Sequence, residues 1–351
     1  MIGSRRSASK RTAGFNSRVL QVDGPGLAPR GAPGRPVILF VLGFGRSGTS
    51  ALTRVLSLSG AALPSGLLGA TRENRRGYWE PRRAIHLNQE ILRGHGSSGY
   101  DMSLRAQEEG AFDVESNTAY VDKIRAYLTT LPTAPLVIIK EPKMTMMPGL
   151  WFEAASQAGF DIAAVISVRH PQEIIGSLAK RADYQHYVRD SPELTMAWWL
   201  KYSLLAERNT RDVPRVFVEY ANLLEDWRQE VKRVSVALGV DLSTQDEGAI
   251  ERFLSPDLQH HRHFGAVEEP FGGDWVAAVY DAMRCAAGDE PLDRSELDRV
   301  YEAYRLSERG FRAAFENDRR FGTLSRLMSP FLVKLGLEAL ALLHRRRGTW
   351  A

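Results

Sequence analysis

The sequence predicts an α/β domain, a parallel sheet with flanking helices. Three observations predict it. Short apolar runs recur along the chain with helical patterns between them. The first run ends in a glycine-rich loop that opens a helix. The length of 351 residues, 44% of them hydrophobic, suffices for one large core of this kind.

Residues 1–34 are rich in Arg, Gly, Ser and Pro and have no apolar period, so they are read as a disordered basic leader. Arg5 and Arg6 form a twin-arginine pair, but no apolar stretch follows, and a secretion signal is not expected. Order is expected from Pro36, within one domain over residues 35–325. Val37–Leu42 is a continuous apolar run ending at Gly43, which is how a buried parallel strand reads. Thr49–Leu58 reads as a helix. Further strands are expected over residues 136–139, 163–168 and 215–219. Helical patterns at 117–131, 171–181, 194–207 and 222–238 separate them. Such alternation implies a parallel sheet with right-handed crossovers. From Glu247 onward the pattern is mostly helical, with an arginine-rich charged helix over 301–320.

Residues 326–351 read as a C-terminal amphipathic helix and basic tail. From 331 to 343 only Lys334 and Glu338 break the apolar run, and Arg345, Arg346 and Arg347 follow. Two readings stand. A basic cluster beside an apolar face suits peripheral contact with an anionic membrane. A terminal helix packed on the body, with its arginines at the negative end of the dipole, is the commoner fate of so short a stretch.

Composition narrows the function classes. The formal charge is +4, but residues 1–35 carry seven Lys/Arg against Asp23 alone, and the tail adds three arginines. Without those ends the body is −5, so the basic ends do not make a nucleic-acid-binding face. Cys285 is the single cysteine, which excludes an internal disulfide and a cysteine metal site and fits a cytoplasmic location. No apolar run reaches the ~20 residues of a spanning helix.

The loop after the first strand is Gly43-Phe44-Gly45-Arg46-Ser47-Gly48-Thr49-Ser50. Its glycines permit a tight turn with N–H groups exposed, and the following helix adds free N–H groups and the positive end of its dipole. Thr49 and Ser50 can cap that helix or donate to a phosphate oxygen. Gly43 and Gly48 fit the triphosphate-binding pattern G-x-x-x-x-G-K-[ST], but Thr49 stands where its lysine belongs. A loop without the lysine that reaches the β/γ-phosphates suits triphosphates poorly. The loop cation is Arg46. A second grip follows the third strand, in Ser167-Val168-Arg169-His170-Pro171 and Ser177. An arginine fork with a hydroxyl suits a terminal phosphate.

Together these motifs resemble the sulfotransferases that use 3′-phosphoadenosine-5′-phosphosulfate (PAPS). That family has a 5′-phosphosulfate loop [KR]-[ST]-G-T-[ST], which Arg46-Ser47-Gly48-Thr49-Ser50 fits. Its 3′-phosphate motif is an arginine followed eight residues later by a serine, with a proline between, and Arg169, Pro171 and Ser177 fit. Val218-Glu219-Tyr220 is a looser echo of a later segment. The similarity spans roughly residues 36–240 and is nearer to bacterial enzymes acting on glycans, lipids or metabolites. The R-K-G-x-x-G signature of the family's C-terminal part is missing, and the adenine contact has no assignment.

The resemblance implies a P-loop-NTPase-like sulfotransferase fold. It implies PAPS as co-substrate, bound by Gly45, Arg46, Ser47, Gly48, Thr49, Ser50, Arg169 and Ser177, with no metal required. The acceptor would be a small molecule, glycan or lipid bearing a hydroxyl or amine. Its proton needs a base. Glu80, in Gly77-Tyr78-Trp79-Glu80-Pro81, is favoured, because a glutamate in a comparable segment serves the glycan and tyrosyl enzymes. Glu141 is the other candidate, at the end of the second strand and so at the ligand edge of an open sheet. Lys140 or Lys143 can assist the leaving sulfonate. Ala61–Gly77, Gly94–Val114 and Asp183–Ser191 are expected to build the acceptor pocket. His260, His261 and His263 lack a further zinc ligand set and are read as a rim. Trp198 and Trp199 are read as core. The competing classes are a phosphoryl-transfer enzyme or nucleotide-binding module on the same loop, and a non-enzymatic membrane-surface or scaffold protein.

Overall fold

The computed structural model describes residues 34–71, 74–108, 110–111, 113–182, 191–243, 246–254, 265–267 and 273–327, with 334, 335, 338, 339, 341–343 and 346 beyond them. The basic leader up to residue 33, the three clustered histidines and most of the C-terminal segment fall outside these residues.

β1 (Val37–Leu42) lies at the centre of a parallel sheet. β2 (Leu136–Lys140), β3 (Asp161–Val168) and β4 (Arg215–Glu219) complete the order β2-β1-β3-β4 among the described residues. Register sets Val41 beside Lys140, Leu42 beside Ile166 and Val168 beside Glu219, so the C-terminal ends of the strands share one edge. The chain crosses from β2 over β1 to β3, which makes the end of β1 a switch point where a crevice opens.

β1 is buried on both faces, as a parallel sheet requires. Ile38, Phe40 and Leu42 face one apolar cluster, with Trp151, Trp199 and Val279. Leu39 and Val41 face the other, with Leu52, Val55 and Trp227. Each such large side chain contributes about 1.5–3 kcal/mol relative to exposure.

The expected strands are present; β2 runs one residue further, to Lys140, and β3 starts earlier, at Asp161. α1 (Thr49–Leu58) follows the loop as expected. α2 (Arg82–Gly94) had no counterpart in the sequence reading; it buries Ala84, Leu87, Asn88, Ile91 and Leu92. α3 (Val114–Leu128) begins three residues before the expected 117, because the Asp113 carboxylate accepts from Ser116 N and caps it. α4 (Pro148–Gln157) starts on a proline and was also unexpected. α5 (Pro171–Ala182) and α6 (Pro192–Arg208) match the patterns that foretold them.

The single helix expected over 222–238 is two. α7 (Tyr220–Glu225) stops at Asp226, which leaves helical geometry at φ −143° and caps α8 (Trp227–Leu238) by accepting from Gln229 N. α9 (Glu247–Phe253) precedes α10 (Trp275–Ala287) and α11 (Arg294–Leu327). α11 contains the charged stretch, and its Leu297, Val300, Tyr301 and Tyr304 join the core of the sheet. Among the described residues no helix is long and apolar enough to cross a membrane.

Candidate active site

The loop from Gly43 to Gly48 lies against Ser167 of β3 and Tyr220 of α7. Gly43 has φ 132°, and a Cβ there would lie 2.9 Å from the Ser167 carbonyl oxygen, so only glycine fits. Gly48 has φ 91° and lies against Tyr220, whose Cδ2 would be 2.3 Å from an added Cβ. Arg46 also adopts the left-handed region, at φ 72°. The Ser167 hydroxyl donates to the Ser47 carbonyl at 2.6 Å and ties the loop to β3. Thr145 accepts from Gly43 N at 3.0 Å and ties it to the segment after β2.

Gly48 is the N-cap of α1. No side chain caps this helix and no acidic residue lies in its first turn, so its positive end faces the crevice uncompensated. Thr49 and Ser47 are buried. The Ser50 hydroxyl is directed inward, donating to the Tyr78 carbonyl at 3.2 Å.

The two phosphate grips read from the sequence meet. Arg46 Nε donates to Ser177 Oγ at 2.9 Å. Arg169 donates through Nη1 to the Arg46 carbonyl at 2.9 Å and through Nε to Glu173 at 2.8 Å, while its guanidinium lies 4.6 Å from the Tyr220 ring centre. Tyr220 thus supports Gly48 on one side and Arg169 on the other. Glu173 and Tyr220 hold the guanidinium plane in place, and no bond from Nη2 is made among the described residues.

A second cluster lies across the start of α1. The Lys140 ammonium, 2% exposed in its side chain, bonds Glu80 Oε1 at 2.5 Å, Ser50 Oγ at 3.1 Å and the Tyr78 carbonyl at 3.2 Å. All three of its N–H groups are engaged. Between Tyr78 and Glu80, Trp79 takes φ 59°, and this turn brings the carbonyl before it and the carboxylate after it to the same ammonium. The Arg54 guanidinium covers the Trp79 ring at 4.5 Å.

Glu141 lies beside this pair and is 0% exposed. Asn88 Nδ2 donates to its Oε2 at 2.5 Å and Lys143 Nζ to its Oε1 at 2.8 Å. Burial pushes the Glu141 carboxyl above its ordinary range; Lys143 works against that shift, and the Glu80 charge adds to it. Trp151 Nε1 donates to Asn88 Oδ1 at 2.8 Å and fixes the amide.

The structure therefore brings Arg46, Ser177 and Arg169 together on one side of the loop, and Ser50, Lys140, Glu80 and Glu141 on the other. Asn88, Glu173 and Thr145 were not foreseen, and Tyr220 was named only within the looser echo of a family segment. Asn88 had a signal: it stands on the buried stripe of α2, where an amide needs partners. Among the described residues no group of three His, Cys, Asp or Glu is arranged to hold a metal ion.

No protein-family model matches the chain, and no curated protein matches it in sequence. Its structure is similar to the sulfotransferase domain of the Synechococcus olefin synthase, with 20% identity over 77% of this chain and 95% of that one, and a TM-score of 0.38. It is similar to the sulfotransferase domain of the curacin biosynthetic pathway, with 18% identity over 78% and 98% of the two chains and a TM-score of 0.37. A Mycobacterium tuberculosis sulfotransferase is similar at 17% identity over 62% of this chain and 71% of that one, with a TM-score of 0.37.

Proposed function

We propose that the chain transfers a sulfuryl group from PAPS to an acceptor hydroxyl or amine. The observation that carries this reading is the meeting of Arg46, Ser177 and Arg169 beside an uncapped helix start, with a lysine-clamped carboxylate across it. One donor set faces a 5′-phosphosulfate: the α1 N-terminus and Arg46. The other faces a 3′-phosphate: Arg169 and Ser177. A triphosphate needs neither the second set nor an arginine in place of the loop lysine.

In the transfer, the acceptor oxygen forms a bond to sulfur as the bond from sulfur to the 5′-phosphate oxygen breaks. The electron pair of the broken bond stays on that phosphate. Arg46 and the helix N–H groups stabilise the charge that grows there, without reorganising at the moment of reaction. Glu80 takes the acceptor proton. It is the better placed of the two carboxylates: it is 8% exposed, whereas Glu141 has no exposure and both its oxygens are bonded. Lys140 orients Glu80, and its help to a sulfonate oxygen would require one of its three bonds to open. Glu141 acts by holding Lys143.

Calorimetry with 3′-phosphoadenosine-5′-phosphate (PAP) and with ATP, each with and without magnesium, tests the reading. PAP should bind more tightly than ATP and without the metal. Magnesium-dependent ATP binding with none for PAP would instead support a phosphoryl-transfer enzyme or nucleotide-binding module.

A further inference from the structure

A cleft of about 910 Å³ opens between the exposed side of α2 and the segment at 97–100. Small-molecule sites are typically of this size. Lys143 lies on its lining, and the Lys143 ammonium reaches Glu141 at 2.8 Å. The lysine that bonds Glu141 is thus part of the cleft wall.

Its outer wall is held in shape from within. Tyr202 Oη donates to the Gly99 carbonyl at 3.0 Å, and Trp198 Nε1 to that of Tyr100 at 2.7 Å. Lys201 Nζ donates to the Asp101 and Ser103 carbonyls at 2.7 and 2.6 Å, and Tyr304 Oη to that of Met102 at 2.6 Å. Successive carbonyls from Gly99 to Ser103 are thus each bonded by a side chain of α6 or α11. Lys201 is 1% exposed, and burying an ammonium carries a large desolvation cost. A surface strap with no task does not require this. The strap also fixes the lysine at the inner end: a Cβ on Gly99 would lie 3.2–3.3 Å from Cε, Cδ and Cγ of Lys143.

The cleft sets a few polar groups on a largely apolar lining. Gln89, Ser97 and Ser98 supply amide and hydroxyl groups, and the Tyr100 ring, 53% exposed, supplies a flat face. Glu90 is neutralised by Lys123 at 2.5 Å. Arg93 has no side-chain partner among the described residues and is exposed at the cleft. A hydroxylated ring can lie on Tyr100 and exchange hydrogen bonds with Gln89, and a guanidinium fork matches a carboxylate.

Resting on the sulfotransferase reading, we propose that this cleft is the acceptor subsite and that it takes a hydroxyl-rich ring bearing a carboxylate. The carboxylate lies on Arg93 and the ring on Tyr100, and the reactive hydroxyl is directed past Lys143 toward the carboxylate pair.

Calorimetry on the full chain saturated with PAP tests this, with p-nitrophenyl β-D-glucuronide and p-nitrophenyl β-D-glucoside as probes. They share ring and aglycone and differ in the carboxylate. The glucuronide should bind about tenfold more tightly or better, as a charge-assisted bond implies. Arg93→Gln should erase the preference and Tyr100→Ala should weaken both probes, with PAP affinity unchanged in each variant. Equal binding of the probes, no glucuronide binding, or a preference that survives in Arg93→Gln overturns the proposal. Failure of PAP itself to bind overturns the sulfotransferase reading instead, and the same titrations on the nucleotide-free chain still decide the cleft.

Discussion

Arg46 and Ser177 stand 131 positions apart and meet through a hydrogen bond of 2.9 Å from Nε to Oγ. The bond joins the turn after β1 to the second turn of α5. It sets side by side two motifs that the sequence presents separately. Arg169 adds a second contact by donating to the Arg46 carbonyl.

The first prediction tests whether the two grips serve different phosphates. Arg169→Ala should weaken PAP binding while leaving adenosine-5′-phosphosulfate, which has no 3′-phosphate, nearly unaffected. One charge-assisted contact of ~1.5–3 kcal/mol is at stake, about tenfold to more than a hundredfold in affinity. Ser177→Ala should act in the same direction but less. Calorimetry with both ligands checks this, and equal losses for the two would remove Arg169 from the 3′ role.

The second prediction separates the carboxylates. Glu80→Gln should lower kcat by a factor on the order of 10²–10⁴ with PAP affinity near wild type. Glu141→Gln should keep more activity, because the neutral amide can still accept from Lys143 and the residue has no exposed surface. Steady-state rates with a sulfated product as readout decide it. A dead Glu141 variant beside an active Glu80 variant reverses the roles.

Much of this was legible because it is local. β1, the loop and α1 are contiguous, and each has its own period or glycine spacing. Arg169 and Ser177 lie within two turns of each other on one strand-to-helix junction. The break at Asp226 was also legible: an Asp followed three residues later by Gln229 is a helix-start signature, and the apolar period running across it hid the signal. The setting of Glu141 was not. Its bond to Asn88 spans 53 positions, and nothing local tells a clamped, fully buried glutamate from an exposed one. The strap at 99–103 is the extreme case. Its backbone is bonded by residues 98–103 positions away and, for Tyr304, 202 away. No period in the strap itself encodes those partners.

The third prediction concerns Gly48→Ala. An added Cβ would meet Tyr220 Cδ2 at 2.3 Å, and alanine is strained at φ 91°. The ring cannot yield without moving Arg169, whose guanidinium lies on it. The variant should lose more than about 1 kcal/mol of stability and most of its PAP affinity. Thermal melts with and without PAP measure both. A wild-type melt with full stabilisation by PAP would show that Tyr220 does not couple the loop to Arg169.

The last prediction tests the strap through Lys201. Burial lowers its pKa to about 8; the charges of Asp101 and Glu308 oppose that shift, and Arg105 adds to it. In the unfolded chain a lysine titrates near ~10.4. Between these values the unfolded state binds more protons than the folded one, so the lysine's contribution to stability rises with pH across that window. Below pH 8 the fold carries the full cost of a buried ammonium. The two bonds survive deprotonation, because a neutral amine keeps two N–H groups for the Asp101 and Ser103 carbonyls. Lys201→Met removes both donors and leaves two buried acceptors unsatisfied, at about 1–3 kcal/mol each. Urea denaturation of both proteins at pH 7 and pH 9 measures the effect. The wild type should be the more stable at both, and its advantage should grow by about 1 kcal/mol at pH 9, since one unit beyond the folded pKa is worth roughly that much. An advantage that shrinks with pH would mean that the ammonium charge itself holds the strap. No advantage at either pH would mean that Lys201 does not hold the strap at all.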